Sequence, residues 1–232
     1  MPLSDDIDLQ ISVIIPVYNG ETYILQAIDS ILQQHYPIRE IIIMDDGSTD
    51  QTAGLVSTYH PAIRYYKKDH TGIADTLNQG ISNATGDTIC FLDADDLWSA
   101  DKLTKQTALL SQNEADIVFG HVKQFISPDL SAGDQAKLVA PEKPAVGYLS
   151  GTMLARKQTI ETVGKFSTSF KIGEFIDWYL RAVNLNLAIK VLPDTILYRR
   201  LHKTNTTRQA NKLRQEYLYV VKAALDRKRK QP

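Results

Sequence analysis

Four short apolar runs constrain this chain more than any other feature. Ile11 to Pro16, Glu40 to Met44, Ile63 to Tyr66 and Ile89 to Leu92 are separated by stretches with apolar residues at helical spacing. The first such stretch carries Tyr23, Ile24, Ala27, Ile28, Ile31 and Leu32; later ones run through about Tyr59 and from about Ile73 to Asn83. Turn-prone Asn19-Gly20, the capping run Gly47-Ser48-Thr49-Asp50 and Gly86 punctuate the alternation. Strands and helices alternating at this pitch predict parallel strands joined by right-handed crossovers. Runs that are apolar throughout, rather than at every second residue, predict strands buried on both faces.

Two of these strands end in acids, Asp45-Asp46 and Asp93-Ala94-Asp95-Asp96, on what must be the same sheet edge. Ligands of open α/β sheets bind outside the carboxyl ends of strands. Three clustered carboxylates repel one another unless a cation compensates them, and hard divalent ions prefer oxygen ligands. The stretch T-I-C-F-L-D-A-D-D-L-W therefore predicts a Mg²⁺ or Mn²⁺ site facing a phosphate-bearing ligand. The alternative is an acidic turn in which Asp96 caps the next helix. The loop after the first strand reads P-V-Y-N-G-E, not G-x-G-x-x-G, which disfavours dinucleotide binding, and no G-x-x-x-x-G-K-[ST] occurs anywhere.

Past Trp98 the pattern predicts a helix to about Gln112, a strand at Asp116 to Val122, and a surface excursion over 126–147 carrying Pro128, Pro141 and Pro144. A helix follows near Lys157 to Val163. Gly173 opens another, with Phe175, Ile176, Tyr179, Leu180 and Val183 as its inward face and Glu174, Asp177, Trp178 and Arg181 on the other. A strand near Thr195 to Tyr198 and a helix from about Gln209, ending in R-K-R-K, complete the chain. Trp178 reads as packing before recognition, and Lys67 and Lys68 as solvated. The first ten residues read as a loose leader.

Composition narrows the function classes. The 232 residues, 43% hydrophobic, suffice for one core, and a net charge of −1 gives no field for nucleic acid. Cys90, the single cysteine, offers neither a disulfide framework nor a zinc cluster. No run approaches the length of a membrane span and no signal-peptide layout opens the chain. The expectation is a soluble, cytoplasmic protein, with weak contact to the inner membrane face through R-K-R-K as the furthest membrane reading.

Taken together, I-S-V-I-I-P-V-Y-N, M-D-D-G-S-T-D, G-D-T-I-C-F-L-D-A-D-D and R-R-L-H resemble, in order and spacing, the family 2 glycosyltransferases of the GT-A fold. The resemblance implies a Rossmann-like, mostly parallel central sheet flanked by helices, with a small acceptor-side subregion and a C-terminal helix. It implies one domain over 1–232, a nucleotide-sugar half at about 11–97 and an acceptor half at about 98–232. The implied activity is metal-dependent, inverting transfer from a nucleotide-sugar, a UDP-sugar first, to an acceptor hydroxyl. By resemblance Pro16, Val17 and Tyr18 cup the base. Asp46, with Asp45 beside it, accepts from an imide N–H, which would select uracil or thymine. Asp93 and Ala94 meet the donor, Asp95 binds Mn²⁺ or Mg²⁺, His202 adds a metal or phosphate contact and Arg200 an anion partner. The family commonly carries Glu-Asp where this chain reads Glu174-Phe175, so the general base is expected at Glu174, with Asp177 second. Loss of the usual base leaves a non-catalytic nucleotide-sugar-binding scaffold as the alternative. The family also commonly carries Arg at Leu77; on that helix Asp75 or Asn78 is left as the expected donor contact.

Overall fold

The computed structural model describes residues 9–170, 172–205 and 210–229, with the side chains of 210–216, 225 and 228 outside that description. Among the described residues, nine strands form one mixed sheet: β1 (Ile11–Val17), β2 (Glu40–Asp45), β3 (Ile63–Lys67), β4 (Thr88–Phe91), β5 (Leu97–Trp98), β6 (Ile117–Ile126), β7 (Ala145–Gly147), β8 (Leu154–Arg156) and β9 (Ile189–Leu201). The helices are α1 (Ile24–Leu32), α2 (Thr52–Val56), α3 (Ile73–Asn83), α4 (Lys102–Ser111), α5 (Ala132–Gln135), α6 (Lys157–Val163), α7 (Glu174–Asn184) and α8 (Ala210–Arg229).

The strand order is β3-β2-β1-β4-β8-β6-β9-β5, with β7 on the side of β6. β1 lies between β2 and β4, parallel to both, so the two acidic strand ends reach the same edge, as their sequence predicts. Every residue of β1 is buried. Val13, Ile15 and Val17 face one layer with Ile24, Ile28 and Ile31 of α1 and Leu103 of α4. Ile14 faces the other, with Leu77 of α3, Phe91 and Trp178. The period of two along the strand thus feeds two cores, the condition a parallel sheet imposes.

The second half departs from the sequence expectations. The stretch after Asp96 does not enter a helix directly: Leu97–Trp98 first pairs antiparallel with β9, and α4 begins only at Lys102. Asp96 consequently caps nothing. Residues 126–147 are partly ordered, with α5 and with β7 paired to β6. β9 runs 13 residues rather than four, parallel to β6 with register shifts around His121. Pro193 lacks the N–H a regular ladder needs, so its place beside that irregularity follows from its chemistry. The leader expectation for residues 1–8 lies outside the described residues, whereas Leu9 belongs to the core. No described helix is long and apolar enough to cross a membrane.

Candidate active site

At the shared edge, Asp45 is fully buried. It accepts from Ser48 N (2.6 Å) and from Tyr65 Oη (2.5 Å), which closes the turn after β2. Asp46 organises the following loop. It accepts from Thr71 N and Gly72 N, each at 2.9 Å, and from the Lys68 ammonium, while His70 Nδ1 lies 3.0 Å from the Asp46 backbone O and 2.9 Å from its carboxylate. Burial alone would raise this carboxyl, but the donors outweigh it and lower it. Lys68 is therefore not solvated: it lies between Asp46 and Asp75, largely buried, while Lys67 reaches Ser48 O. Tyr18 projects from the end of β1, 51% exposed, its ring centroid 4.4 Å from that of His70. Pro16 and Val17 behind it are buried, and Val17 O accepts from Asp46 N. Asn78 ties α3 to the segment before α7 through paired bonds with Phe166 N and O, and Asp75 bonds Thr71 and Gln79.

Beyond β4, Asp93, Asp95 and Asp96 bring one carboxylate oxygen each to within 4.8 Å of one another, with Ala94 half-buried between them. Asp93 is exposed at the surface and also lines a cavity. Dense protein around it, then the Asp95 charge, push its carboxyl up to about 7 against the opposing pull of Arg199. Burial and the same neighbours raise Asp96 well above the ordinary range too. Repulsion among clustered carboxylate oxygens is the chemistry a hard divalent cation relieves, and His202 brings an imidazole to the same corner. His202 Nε2 lies 2.7 Å from Asp95 Oδ2, and Asn205 Nδ2 donates to the same oxygen at 3.2 Å. Asn205 Oδ1 also accepts from His202 N at 2.6 Å, and Thr204 Oγ1 lies 3.1 Å from His202 Nδ1, so R-x-H-x-x-N converges on Asp95.

Arg200 is deeply buried and anchors this corner. It donates to Asp95 O (2.9 Å), Ser127 Oγ (3.1 Å) and Gln26 Oε1 (2.7 Å), and lies over the rings of Tyr23 and Phe125. Its N–H meets Asp96 Oδ1 at 2.8 Å. Arg199 instead lines a cavity of about 180 Å³ that also holds Asp93, Asp96, Tyr148, Glu174 and Tyr217. Arg199 was not predicted. Side chains alternate along β9, so the neighbour of a buried Arg200 had to face the other way, but only the unrecognised length of β9 made that countable.

Glu174 opens α7 behind Gly173, whose φ of +96° and close approach to Val220 of α8 suit a residue without Cβ. The N–H groups of Gly173 and Glu174 favour the carboxylate, but burial is the larger effect and raises the Glu174 pKa. The positive end of the helix dipole would by itself favour the carboxylate, and burial outweighs it. Asp177 points elsewhere: it is buried and gripped by Arg181 Nε (3.0 Å) and Arg227 (2.6 Å), which ties α7 to α8. The inward face of α7 is Phe175, Asp177, Trp178 and Ala182, with Val183 exposed, so the helix is rotated from its predicted orientation. Trp178 is fully buried and donates to Gly164 O, which makes it packing. Of R-K-R-K, Arg227 faces inward to Asp177; Lys230 lies outside the described residues.

The chain is similar to several known proteins. An uncharacterized glycosyltransferase of Rickettsia typhi is 29% identical over 219 residues, covering 89% of this chain and 69% of that protein. The Escherichia coli protein WfgD, a UDP-Glc:alpha-D-GlcNAc-diphosphoundecaprenol beta-1,3-glucosyltransferase, is 33% identical over 138 residues, 59% of this chain and 53% of its own length. Among solved structures, residues 1–349 of Staphylococcus aureus TarS superpose with a TM-score of 0.67 at 25% identity, covering 83% of this chain and 60% of that one. The mannosyltransferase PcManGT of Pyrobaculum calidifontis, solved with GDP-Man and Mn²⁺, gives 0.72 at 20% identity, covering 94% and 64%. These two share the GT-A fold expected above. The profile described as Glycosyl transferase family 2 matches residues 12–167, and the chain belongs to that family.

Proposed function

We propose that this protein transfers a sugar from a UDP-sugar to an acceptor hydroxyl with inversion at the anomeric carbon, in a metal-dependent reaction. The observation that carries the reading is the convergence of Asp93, Asp95, Asp96 and Glu174 on one corner, three of them lining a common cavity. WfgD, which uses UDP-Glc, supports the donor class, and so does TarS, solved also with UDP. Residues at about 11–97 form the donor half and those at about 98–232 the acceptor half.

Asp95 and His202 hold the cation, with Asp93 and Asp96 beside them. When bound, Mn²⁺ or Mg²⁺ supplies charge stabilisation to the departing diphosphate. Tyr18 is the exposed ring on which the base stacks, above Pro16 and Val17. A uracil imide N–H would reach Asp46 from the side of the exposed His70 ring, whose Nδ1 lies 2.9 Å from Asp46 Oδ2. Asp45 supports this loop, and Arg200 orients Asp95 and Asp96 through its donors. The acceptor oxygen attacks the anomeric carbon as the C–O bond to the diphosphate breaks, and its proton passes to a Glu174 carboxylate. Burial raises the basicity of Glu174, which suits a general base. Asp177, already held by two arginines, has a supporting role. The protein works in the cytoplasm. WfgD acts on a lipid-linked acceptor, and a similar acceptor would bring the protein to the inner membrane face.

The alternative, a binder without turnover, is favoured by Phe175 at the family's usual base position. Calorimetric titration of UDP with and without Mn²⁺, followed by UDP release from UDP-hexoses, separates the two. Mn²⁺-dependent UDP binding with release supports the transferase, and binding with no release supports the scaffold. Absence of UDP binding under both conditions refutes the UDP assignment.

A further inference from the structure

Trp98, Lys102 and Gln106 are buried side chains spaced four residues apart, and none belongs to the site described above. Their donors address three consecutive carbonyls. Trp98 Nε1 donates to Gly151 O at 2.9 Å, Gln106 Nε2 to Thr152 O at 2.8 Å, and Lys102 Nζ lies 3.5 Å from Met153 O. They also brace one another. Lys102 Nζ bonds Gln106 Oε1 at 2.6 Å and sits 4.1 Å from the Trp98 ring centroid. The second Gln106 amide hydrogen reaches Val118 O of β6 at 2.8 Å. Buried carbonyls need partners, but three successive ones met by three mutually bonded side chains form a network that also restrains where the backbone lies.

What the network holds is one wall of the cavity. Leu149, Ser150 and Gly151 line it together with Asp93, Asp96 and Glu174. Gly151 is pressed against β9, where an added Cβ would come within 3.1 Å of Leu197 Cδ2. At its other end the network begins at Trp98, two residues past Asp96 on the β5 strand. A short, desolvated path therefore links the acidic corner to the opposite, acceptor-side wall.

The geometry points to Trp98, Lys102 and Gln106 as positioning residues that lock the wall at 149–153 in register with Asp93–Asp96. Its consequence for transfer rests on the acceptor reading of the cavity; the mechanical coupling does not. Amide hydrogen exchange on the full chain tests it, comparing wild type with Gln106→Met and with Trp98→Phe, which removes one donor while keeping an aromatic ring. The amides of Thr152 and Met153, bonded to Leu149 O and Ser150 O at 3.1 and 3.0 Å, should exchange at least tenfold faster in Gln106→Met. Those of β1 and β4 should keep their rates, and UDP affinity with Mn²⁺ should stay within twofold. Unchanged exchange at Thr152 and Met153 overturns the inference. Equal acceleration throughout β1 and β4 also overturns it, because the three residues would then serve general stability alone. Failure of wild type to bind UDP would sink the donor assignment, while the exchange result would still decide the coupling.

Discussion

Lys102 lends itself to a quantitative test. Its side chain is fully buried, supported by Gln106 Oε1 at 2.6 Å, Met153 O at 3.5 Å and the Trp98 ring. Burial lowers its pKa from 10.5 to about 8. A buried lysine of this kind sheds its proton in the folded protein before the unfolded chain does. Between pH 8 and 10.5 the unfolded state therefore binds more protons, and stability rises with pH. The slope is ~1.4 kcal/mol per pH unit and the full contribution about 3 kcal/mol. Below pH 8 both states are protonated and the dependence vanishes. Urea unfolding of wild type and Lys102→Met in half-unit steps from pH 7 to 10.5 isolates this contribution. Tyr23, Tyr65 and Tyr179, all raised chiefly by burial, titrate in both proteins and cancel in the difference. The stability of wild type relative to the variant should climb by about 3 kcal/mol across that range. A flat or falling difference would refute the assignment of a strained, charged lysine beneath the site.

Other outcomes follow from the same geometry. Glu174→Gln should leave Mn²⁺-dependent UDP binding intact and reduce turnover by roughly 10²–10⁴, read as UDP release. Asp95→Ala should abolish the metal dependence of UDP binding in calorimetry, because His202 and Asn205 lose their common partner with it. Asp177→Ala leaves the half-buried Arg181 and Arg227 without their shared carboxylate and should cost about 2 kcal/mol in urea unfolding, the scale of hydrogen bonds to a charged group. Burial would raise Glu40, but donors from Arg64, Thr85 and Ser12 outweigh it and hold it at about 2. Its contribution is complete above pH 4.5 and should disappear as pH falls from there toward 2, a loss absent from Glu40→Gln in acid unfolding curves.

How much of this was legible beforehand varies along the chain. In the first half, strand and helix ends fall within a few residues of their predicted places, since Asn19-Gly20, Gly72 and Gly86 mark local chemistry a reader can see. After Trp98, prediction weakened where partners lie far away in sequence. β5 is two residues long and exists only because β9 pairs with it. The ends of β9 follow β6, and no periodicity signals a parallel partner some 70 residues earlier. The α7 face was misread because Asp177 looks like a surface acid until Arg227, fifty residues on, arrives to neutralise it. Lys68 was read as solvated for the same reason, its partners Asp46 and Asp75 lying in other elements.

The sequence by itself determined the parallel first half of the sheet, the shared edge of the two acidic strand ends, and the family. Apolar runs, turn residues and acids at strand ends act locally and keep their meaning wherever the chain goes. Only the tertiary structure decided which acid is available: Glu174 lines the cavity while Asp177 is held by arginines, and Arg199 faces the acids while Arg200 is buried beneath them. Those pairs are nearly alike in residue type and neighbourhood. What separates them is burial and charge supplied by distant segments, and that becomes defined only when the segments meet.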